Sequence, residues 1–179
     1  SPRIDAFAGE SVLFEHTLAQ APWTRPSVAS ILTGLWPLRH SVDRPGRALP
    51  QPVETLAERL QEAGYDTVAV NTNGILSGSM GFDQGFGDFI YLEEQMPGTV
   101  HQGADRVNTA LSTWLDARID GRPFFAYLHV SDPHAPYTPA PAQRRRFAPG
   151  VSDGQVGSSS WMTELREGRI EPPAAHASD

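Results

Sequence analysis

The chain has 179 residues, of which 39% are hydrophobic and 20% are charged, so it can form one domain with a buried core but not two full ones. A formal net charge of −7 argues against non-specific nucleic-acid binding, which needs a basic face, yet it allows a local pocket for a small anionic substrate. The absence of Cys excludes disulfides and thiolate metal sites, and no apolar run approaches the ~20 residues that span a bilayer.

The first predicted elements are a short helix over residues 4–9, a short strand over residues 11–14 and a longer helix that begins at Pro26. Proline suits the first helical position, and Gly34 ends this helix because a left-handed cap costs glycine little. Thr24 is then expected just ahead of free backbone N–H groups at the positive end of the helix, a place suited to holding an anion. An ordinary helix N-cap is the alternative for Thr24. The inward face has apolar residues at three- and four-residue steps: Val28, Ile31, Leu32 and Leu35.

The middle of the chain alternates between loops, helices and strands. His40 to Gln51 is rich in Pro, Gly and Arg and has no period, which predicts a connecting loop. Residues 53–63 are helical in pattern and end at Gly64, and residues 65–70 read as a buried strand. Residues 71–87 are predicted as a loop, and residues 89–92 as a short edge strand.

The second half completes the pattern with a helix over residues 104–118 and a core strand over residues 124–130. Helices and strands that alternate with short links predict a mostly parallel sheet covered on both faces, a three-layer α/β/α sandwich. After Tyr137 the hydrophobic period is lost, apart from a weak helix over residues 161–169. We therefore divide the chain, within a single domain, into residues 1–137 and an irregular, poorly ordered or lid-like segment over residues 138–179.

Two loops leave the carboxyl ends of predicted strands, which is where functional groups gather in open α/β sheets. Asn73 lies on the first loop, where an Asn-Gly turn explains it as well as a role as hydrogen-bond donor. His134 lies on the second and could protonate a leaving group near neutral pH, although it could also be structural. Asp132 could orient His134 or begin the Asp-Pro turn, and the turn is favoured.

The helix with Thr24 and four other stretches resemble, as an ordered set, the sulfatase family of the alkaline phosphatase superfamily. The family signature is Cys or Ser, any residue, then Pro-Ser-Arg, with Leu-Thr-Gly a few residues later. The matching stretches are Thr24-Arg25-Pro26-Ser27-Val28, Leu32-Thr33-Gly34, Trp36-Pro37-Leu38-Arg39-His40, Gly81-Phe82-Asp83-Gln84-Gly85-Phe86 and Asp132-Pro133-His134-Ala135-Pro136-Tyr137.

The resemblance implies an incomplete alkaline phosphatase-like sandwich and a hydrolase of sulfate or phosphate esters. By this likeness Thr24 occupies the nucleophile position and is a metal ligand, and His134 contacts the ester group and assists the leaving group. Arg25, next to Thr24 in the chain, is a candidate anion contact or a solvated loop charge. Asn73 is a candidate hydrogen-bond donor to the substrate. His40 follows the helix exit and is expected to pack rather than to react.

The resemblance also implies a divalent metal, Ca²⁺ by the family's preference, with Mn²⁺ or Zn²⁺ as alternatives. Family members hold this cation with residues that have no match in these 179 residues, so we expect the chain to be a fragment that is inactive alone and binds metal weakly. The implied partner is an anionic ester that is small or linked to a glycan or lipid, with no nucleic acid. The sequence leaves the oligomeric state undetermined.

Three departures from the family pattern leave other functions open. Thr24 cannot give the aldehyde that sulfatases make from Cys or Ser, Val28 replaces the motif Arg, and Leu35 replaces a basic residue. A threonine hydroxyl also needs a metal or a base to become a good nucleophile. The alternatives are a sulfatase-like domain that has lost catalysis and only binds, and a Thr-dependent phosphotransferase.

Overall fold

The structure, a computed structural model, describes residues 2–92, 103–119, 121–132, 134, 141–147 and 159–170. The helices in this part of the chain are α1 (Pro2–Gly9), α2 (Thr24–Thr33), α3 (Pro37–His40), α4 (Leu56–Glu62), α5 (Gly103–Asp116), α6 (Pro141–Phe147) and α7 (Ser159–Arg166). The strands are β1 (Asp66–Asn71), β2 (Asp88–Tyr91) and β3 (Phe124–His129). None of these helices is both long and apolar enough to cross a membrane.

The three strands form one parallel sheet in the order β2-β1-β3. Ala69 in the centre pairs with Phe89 on one side and Tyr127 on the other. Val68 and Val70 at the centre of β1 are fully buried, as expected of a parallel strand covered on both faces. The predicted α/β class with a parallel sheet is therefore confirmed.

One face of the sheet packs against α2, α4 and the loop after β1. Apolar side chains of the two helices and the loop share this core with alternate residues of the strands, including Ala69, Phe125 and Tyr127. Phe86 lies at its centre and stacks on Phe125 at a ring-centroid distance of 5.9 Å. The buried members of this core are Val28, Ala29, Leu32, Val42, Leu49, Ala57, Ala69, Leu76, Phe82 and Phe86.

Helix α5 covers the opposite face. Val107 is 1% exposed and packs with Val68 and Val70, while Leu111 and Trp114 lie at the margin of this second core. Helices on both faces make the three layers that the alternating pattern predicts.

Helix α2 begins two residues earlier than its sequence pattern indicates. Thr24 is its first residue and Pro26 its third, and Gly34 forms the left-handed C-cap with φ 69°. The inward face is also rotated from the predicted one. Ala29 and Leu32 are buried, whereas Ile31 is 59% exposed, because α2 packs on the sheet through only part of its apolar stripe.

The strand predicted over residues 11–14 is wrong. This stretch has no strand structure and no ladder partner, and Val12 and Phe14 are 81% and 77% exposed. Alternating apolar residues form a strand only where a neighbour accepts their backbone hydrogen bonds. The helix predicted over residues 4–9 is present as α1, although it buries none of its residues.

The segment after residue 137 contains two helices, α6 and α7. Helix α7 agrees with the weak helix predicted from residue 161, and α6 was not expected from the sequence. Pro136 and Tyr137 of the family motif lie outside the described residues. The proposed division at residue 137 stays a prediction.

Candidate active site

Thr24 lies at the amino end of α2, inside the first turn. The N-cap is Trp23, whose backbone is extended and whose side chain makes no capping hydrogen bond, so the N-cap interpretation of Thr24 is wrong. Ser27 N–H already bonds to the Trp23 carbonyl at 3.3 Å, and Pro26 has no N–H. The N–H groups of Thr24 and Arg25 are thus left at the mouth of the helix without an intrahelical acceptor. Thr24 itself is half-buried.

Arg25 lies folded along the protein surface and is half-buried. Its Nη1 donates to the carbonyl oxygen of Arg47 at 3.5 Å, and its Nε is buried and has no hydrogen-bond partner among the described residues. A buried guanidinium donor without an acceptor is costly, which is not the environment of a freely solvated loop charge.

Asn73 lies in a tight turn that leaves the carboxyl end of β1. The Asn71 side-chain oxygen accepts from Asn73 N–H at 3.1 Å, and the Asn73 side-chain oxygen accepts from Ile75 N–H at 3.1 Å. The Asn73 carbonyl accepts from Leu76 N–H at 3.0 Å. These are the bonds of an Asx turn, so the turn explanation holds for the Asn73 oxygen.

The loop that leaves β3 carries His134 on a closed turn. His134 N–H donates to the Ser131 carbonyl at 2.6 Å, and the His134 side chain is exposed. Asp132 lies within this turn, and its carboxylate accepts from Ala104 N–H at 3.0 Å in the first turn of α5. A Cβ on Gly103 would lie 2.6 Å from the same carboxylate, so a larger residue there would displace the Asp132 side chain. Asp132 is part of the predicted turn, and it also binds the amino end of α5.

The two loop exits meet at the carboxyl edge of the sheet. The hydroxyls of Thr72 and Ser131 are 3.2 Å apart, so the turns with Asn73 and His134 are neighbours, as expected for parallel strands. Helix α2 packs on the sheet face toward which Ala69 and Tyr127 point. Among the hydrogen bonds of the described residues, none joins Thr24 to Asn73 or to His134.

The sequence interpretation missed a second histidine at this edge, His129. It ends β3 and pairs in register with Asn71, and its Nδ1 lies 3.1 Å from the Tyr127 hydroxyl. Burial lowers the pKa of His129 and raises that of Tyr127 to about 12. The available signal was a polar residue next to the end of the otherwise apolar strand predicted over residues 124–130.

His40 has the packing role expected of it. It is fully buried, its Nδ1 accepts from Val42 N–H at 3.1 Å, and its Nε2 lies 3.0 Å from the Ser30 hydroxyl. Because Nδ1 is an acceptor, the proton is on Nε2, which donates to Ser30. His40 thereby links α3 to the buried side of α2.

The described residues do not form a cation site. They contain no group of three or more His, Cys, Asp or Glu side chains close enough to hold a metal ion. A divalent cation generally needs several oxygen or nitrogen ligands together. The residues present at Thr24 therefore do not fit the implied metal by themselves.

Comparison with known proteins gives a consistent assignment. The sequence profile of the sulfatase family matches residues 1–159. The N-acetylglucosamine-6-O-sulfatase of Bacteroides thetaiotaomicron is 26% identical over 153 residues, which cover 79% of this chain and 27% of that protein.

Two solved structures have a similar fold. One, a complex with its substrate D-glucosamine-2-N,6-O-disulfate, has a TM-score of 0.66 at 22% identity and covers 87% of this chain and 34% of the other. The phosphonate monoester hydrolase of Agrobacterium radiobacter has a TM-score of 0.64 at 22% identity and covers 86% of this chain and 40% of the other. The chain spans well under half the length of each relative. On the profile match, the chain belongs to the sulfatase family, whose members are sulfuric ester hydrolases.

Proposed function

We propose that this chain carries the nucleophile and part of the oxyanion-binding site of a hydrolase that acts on sulfate or phosphate esters. The observation that carries the proposal is the position of Thr24 in the first turn of α2, within a matched sulfatase profile. A hydroxyl there adjoins two backbone N–H groups and the positive end of the helix dipole, which favour a negatively charged group.

In the proposed reaction, Thr24 Oγ1 attacks sulfur or phosphorus in line with the ester oxygen. A bond forms between Oγ1 and the central atom, the bond to the ester oxygen breaks, and the hydroxyl proton leaves to solvent. His134 gives a proton to the departing oxygen and regains one from solvent. A water oxygen then bonds to the central atom, the bond to Oγ1 breaks, and Oγ1 takes a proton from that water as sulfate or phosphate leaves. The N–H groups of Thr24 and Arg25 and the Arg25 guanidinium hold the non-bridging oxygens, with Asn73 as an amide donor.

The proposed substrate is an anionic glycan ester. The matched curated relative is named an N-acetylglucosamine-6-O-sulfatase, and a matched solved structure is a complex with a sulfated glucosamine. The phosphonate monoester hydrolase among the structural relatives keeps phosphoryl substrates open. Because the net charge of the chain is −7, the attraction of an anionic substrate depends on local hydrogen-bond donors and not on the charge of the whole molecule.

The sulfatase family is metal-dependent in general. We propose that the same holds for the protein that contains this chain, with Ca²⁺ first and Mn²⁺ or Zn²⁺ as alternatives. Thr24 is the ligand that we assign to this chain. Thr24 supplies one ligand only, because the described residues contain no cluster of ligands for the cation.

The test is turnover by the protein that contains this chain, with Ca²⁺, Mn²⁺ or Zn²⁺, on glucosamine 6-sulfate, an aryl sulfate and a bis-aryl phosphate. Replacement of Thr24 by Ala should lower kcat/KM by about 10³-fold or more, as for loss of a nucleophile. Thr33→Ala is the matched control, because Thr33 lies at the other end of α2 and bonds only within the helix region. Full activity in Thr24→Ala would refute the proposal.

A second candidate function is a sulfatase-like domain that binds without catalysis. The observation that favours it is Val28, which stands where the family motif has Arg and is only 4% exposed in the core beneath α2. Sulfate binding by a protein with no turnover of any of the three esters, with any of the three metals, would support this function. Turnover that passes the ester group to an added alcohol rather than to water would instead identify a Thr-dependent phosphotransferase.

A further inference from the structure

His129 lies at the carboxyl edge of the sheet on the side that α2 covers. Side chains alternate along a strand, so His129 shares a face with Tyr127 and, through the register, with Ala69 and Asn71. Tyr127 packs against the core that contains α2. His129 is half-buried and belongs to the same edge as the Thr72–Ser131 contact.

The hydroxyl of Tyr127 fixes the tautomer of His129. Tyr127 is a partly buried phenol that is neutral, because burial raises its pKa to about 12, and its described hydrogen-bond partner is His129 Nδ1 at 3.1 Å. A neutral phenol donates its O–H more readily than it accepts, so we assign Tyr127 as the donor to Nδ1, which puts the ring proton of His129 on Nε2. The two rings are 6.2 Å apart and inclined by 29°, which further limits rotation of the imidazole.

His129 therefore presents a fixed, neutral N–H donor. Burial lowers its pKa, which keeps the ring uncharged near neutral pH. Nδ1 is occupied by Tyr127, and no hydrogen bond of Nε2 to another described residue is present. A preorganised donor at the edge where ester oxygens would lie can bind them without reorganisation.

We propose that His129 is a further substrate-binding residue, whose Nε2–H donates a hydrogen bond to a sulfuryl or phosphoryl oxygen, and that Tyr127 is its positioning residue. This inference rests on the proposed function, because it places the ester group at the carboxyl edge of the sheet. It adds a donor on β3, separate from the two N–H groups of α2 and from His134.

The first test is histidine ¹⁵N NMR of the protein that contains this chain at pH 7.5, titrated with inorganic sulfate and then with inorganic phosphate. We expect His129 in the neutral Nε2–H form and a shift of its Nε2 signal with either anion, while the buried His40 stays unchanged. Tyr127→Phe should give a mixture of tautomers. An Nδ1–H form of His129, or no shift with either anion, would overturn the proposal.

The second test uses the protein that contains this chain with an aryl sulfate. His129→Ala should lower kcat/KM by about 10²-fold, the effect of removing one oxyanion donor, and His129→Gln should recover part of it because its amide can donate. His40→Asn is the control and should leave kcat/KM per folded molecule unchanged. Equal kcat/KM for wild type and His129→Ala would overturn the proposal.

The two tests separate this inference from the proposed function. If Thr24→Ala abolishes turnover and His129→Ala does not change it, only the role of His129 is wrong. If Thr24→Ala keeps full turnover, the nucleophile is wrong, and the anion shift at His129 then decides by itself whether the edge binds an oxyanion.

Discussion

At the scale of single residues, His40 and His129 differ in role although burial lowers the pKa of both. His40 is closed off between Ser30 and Val42 and holds two helices together. Among the described residues, the hydrogen-bond partner of the His129 ring is Tyr127, on Nδ1. The two differ in how many ring nitrogens form hydrogen bonds with described residues, both in His40 and one in His129. The amino-acid sequence does not reveal this difference.

His40 should make stability depend on pH. Burial lowers its pKa below the ordinary value of 6.5, so the unfolded chain takes up a proton first as the pH falls. The free energy of unfolding should be highest above about pH 7 and should decrease through pH 6.5 and below, by at most about 1.4 kcal/mol per pH unit for one proton. Denaturant titrations between pH 8 and pH 5 measure this slope.

The matched variants for this prediction are His40→Asn and His16→Asn. His40→Asn should flatten the slope, leaving the part due to His129, whose pKa burial also lowers. His16 is exposed, so His16→Asn should leave the slope as it is in the wild type. An unchanged slope in His40→Asn would contradict the assignment.

At the scale of elements, α4 is fixed by its cap and by a glycine in the loop after β1. Thr55 and Glu58 form a capping box, and the Thr55 hydroxyl also lies 3.2 Å from the Gln84 carbonyl. Gly85 has φ 78°, and a Cβ there would lie 2.1 Å from the Glu58 nitrogen. The loop and the first turn of α4 therefore touch backbone to backbone.

Gly85→Ala should destabilise the fold by about 3 kcal/mol or more, because positive φ and a backbone clash act together. Gly46→Ala is the control: its φ is 83°, but no atom lies within 4 Å of the added Cβ, so only about 1 kcal/mol of conformational strain is expected. Urea unfolding of both variants measures the difference. Equal losses would mean that the loop moves away from α4 at little cost.

At the scale of the whole molecule, the apolar surface is unevenly distributed. The side chains of the core beneath α2 are buried, whereas Val12 and Phe14 are mostly exposed. On β3, the side chains of Phe124 and Leu128 are 46% and 39% exposed. In the described sheet, β3 has one neighbour, β1, and its other edge is open. Open edges beside exposed apolar residues favour association.

We expect the 179-residue chain by itself to self-associate at micromolar concentration and to bind a hydrophobic dye. Val12→Lys combined with Phe14→Lys should reduce both, with less than about 0.5 kcal/mol change in the free energy of unfolding, because these side chains are exposed. Glu15→Lys, at an exposed polar position nearby, is the control. Light scattering that shows a monomer for the unmodified chain would contradict this expectation.

The sequence by itself determined the alternation of elements and the motif set. β1, β3 and α5 follow from apolar patterns that are local, and the Thr24 stretch follows from a matched order of short motifs. Gly34 as the end of α2 also depends only on local backbone conformation, since its φ of 69° suits glycine.

Only the tertiary structure decided the remaining features, because each depends on residues far apart in the chain. Ser11 to Phe14 lacks a partner strand, Ile31 points outward because α2 uses part of its stripe, and Asp132 binds Ala104 across 28 positions. The hydrogen bond between Tyr127 and His129 is local, but the packing of Tyr127 against the core beneath α2 depends on distant parts of the chain. The period of a sequence pattern predicts the face of its element on which a residue lies. The residues that it contacts there are decided by tertiary packing.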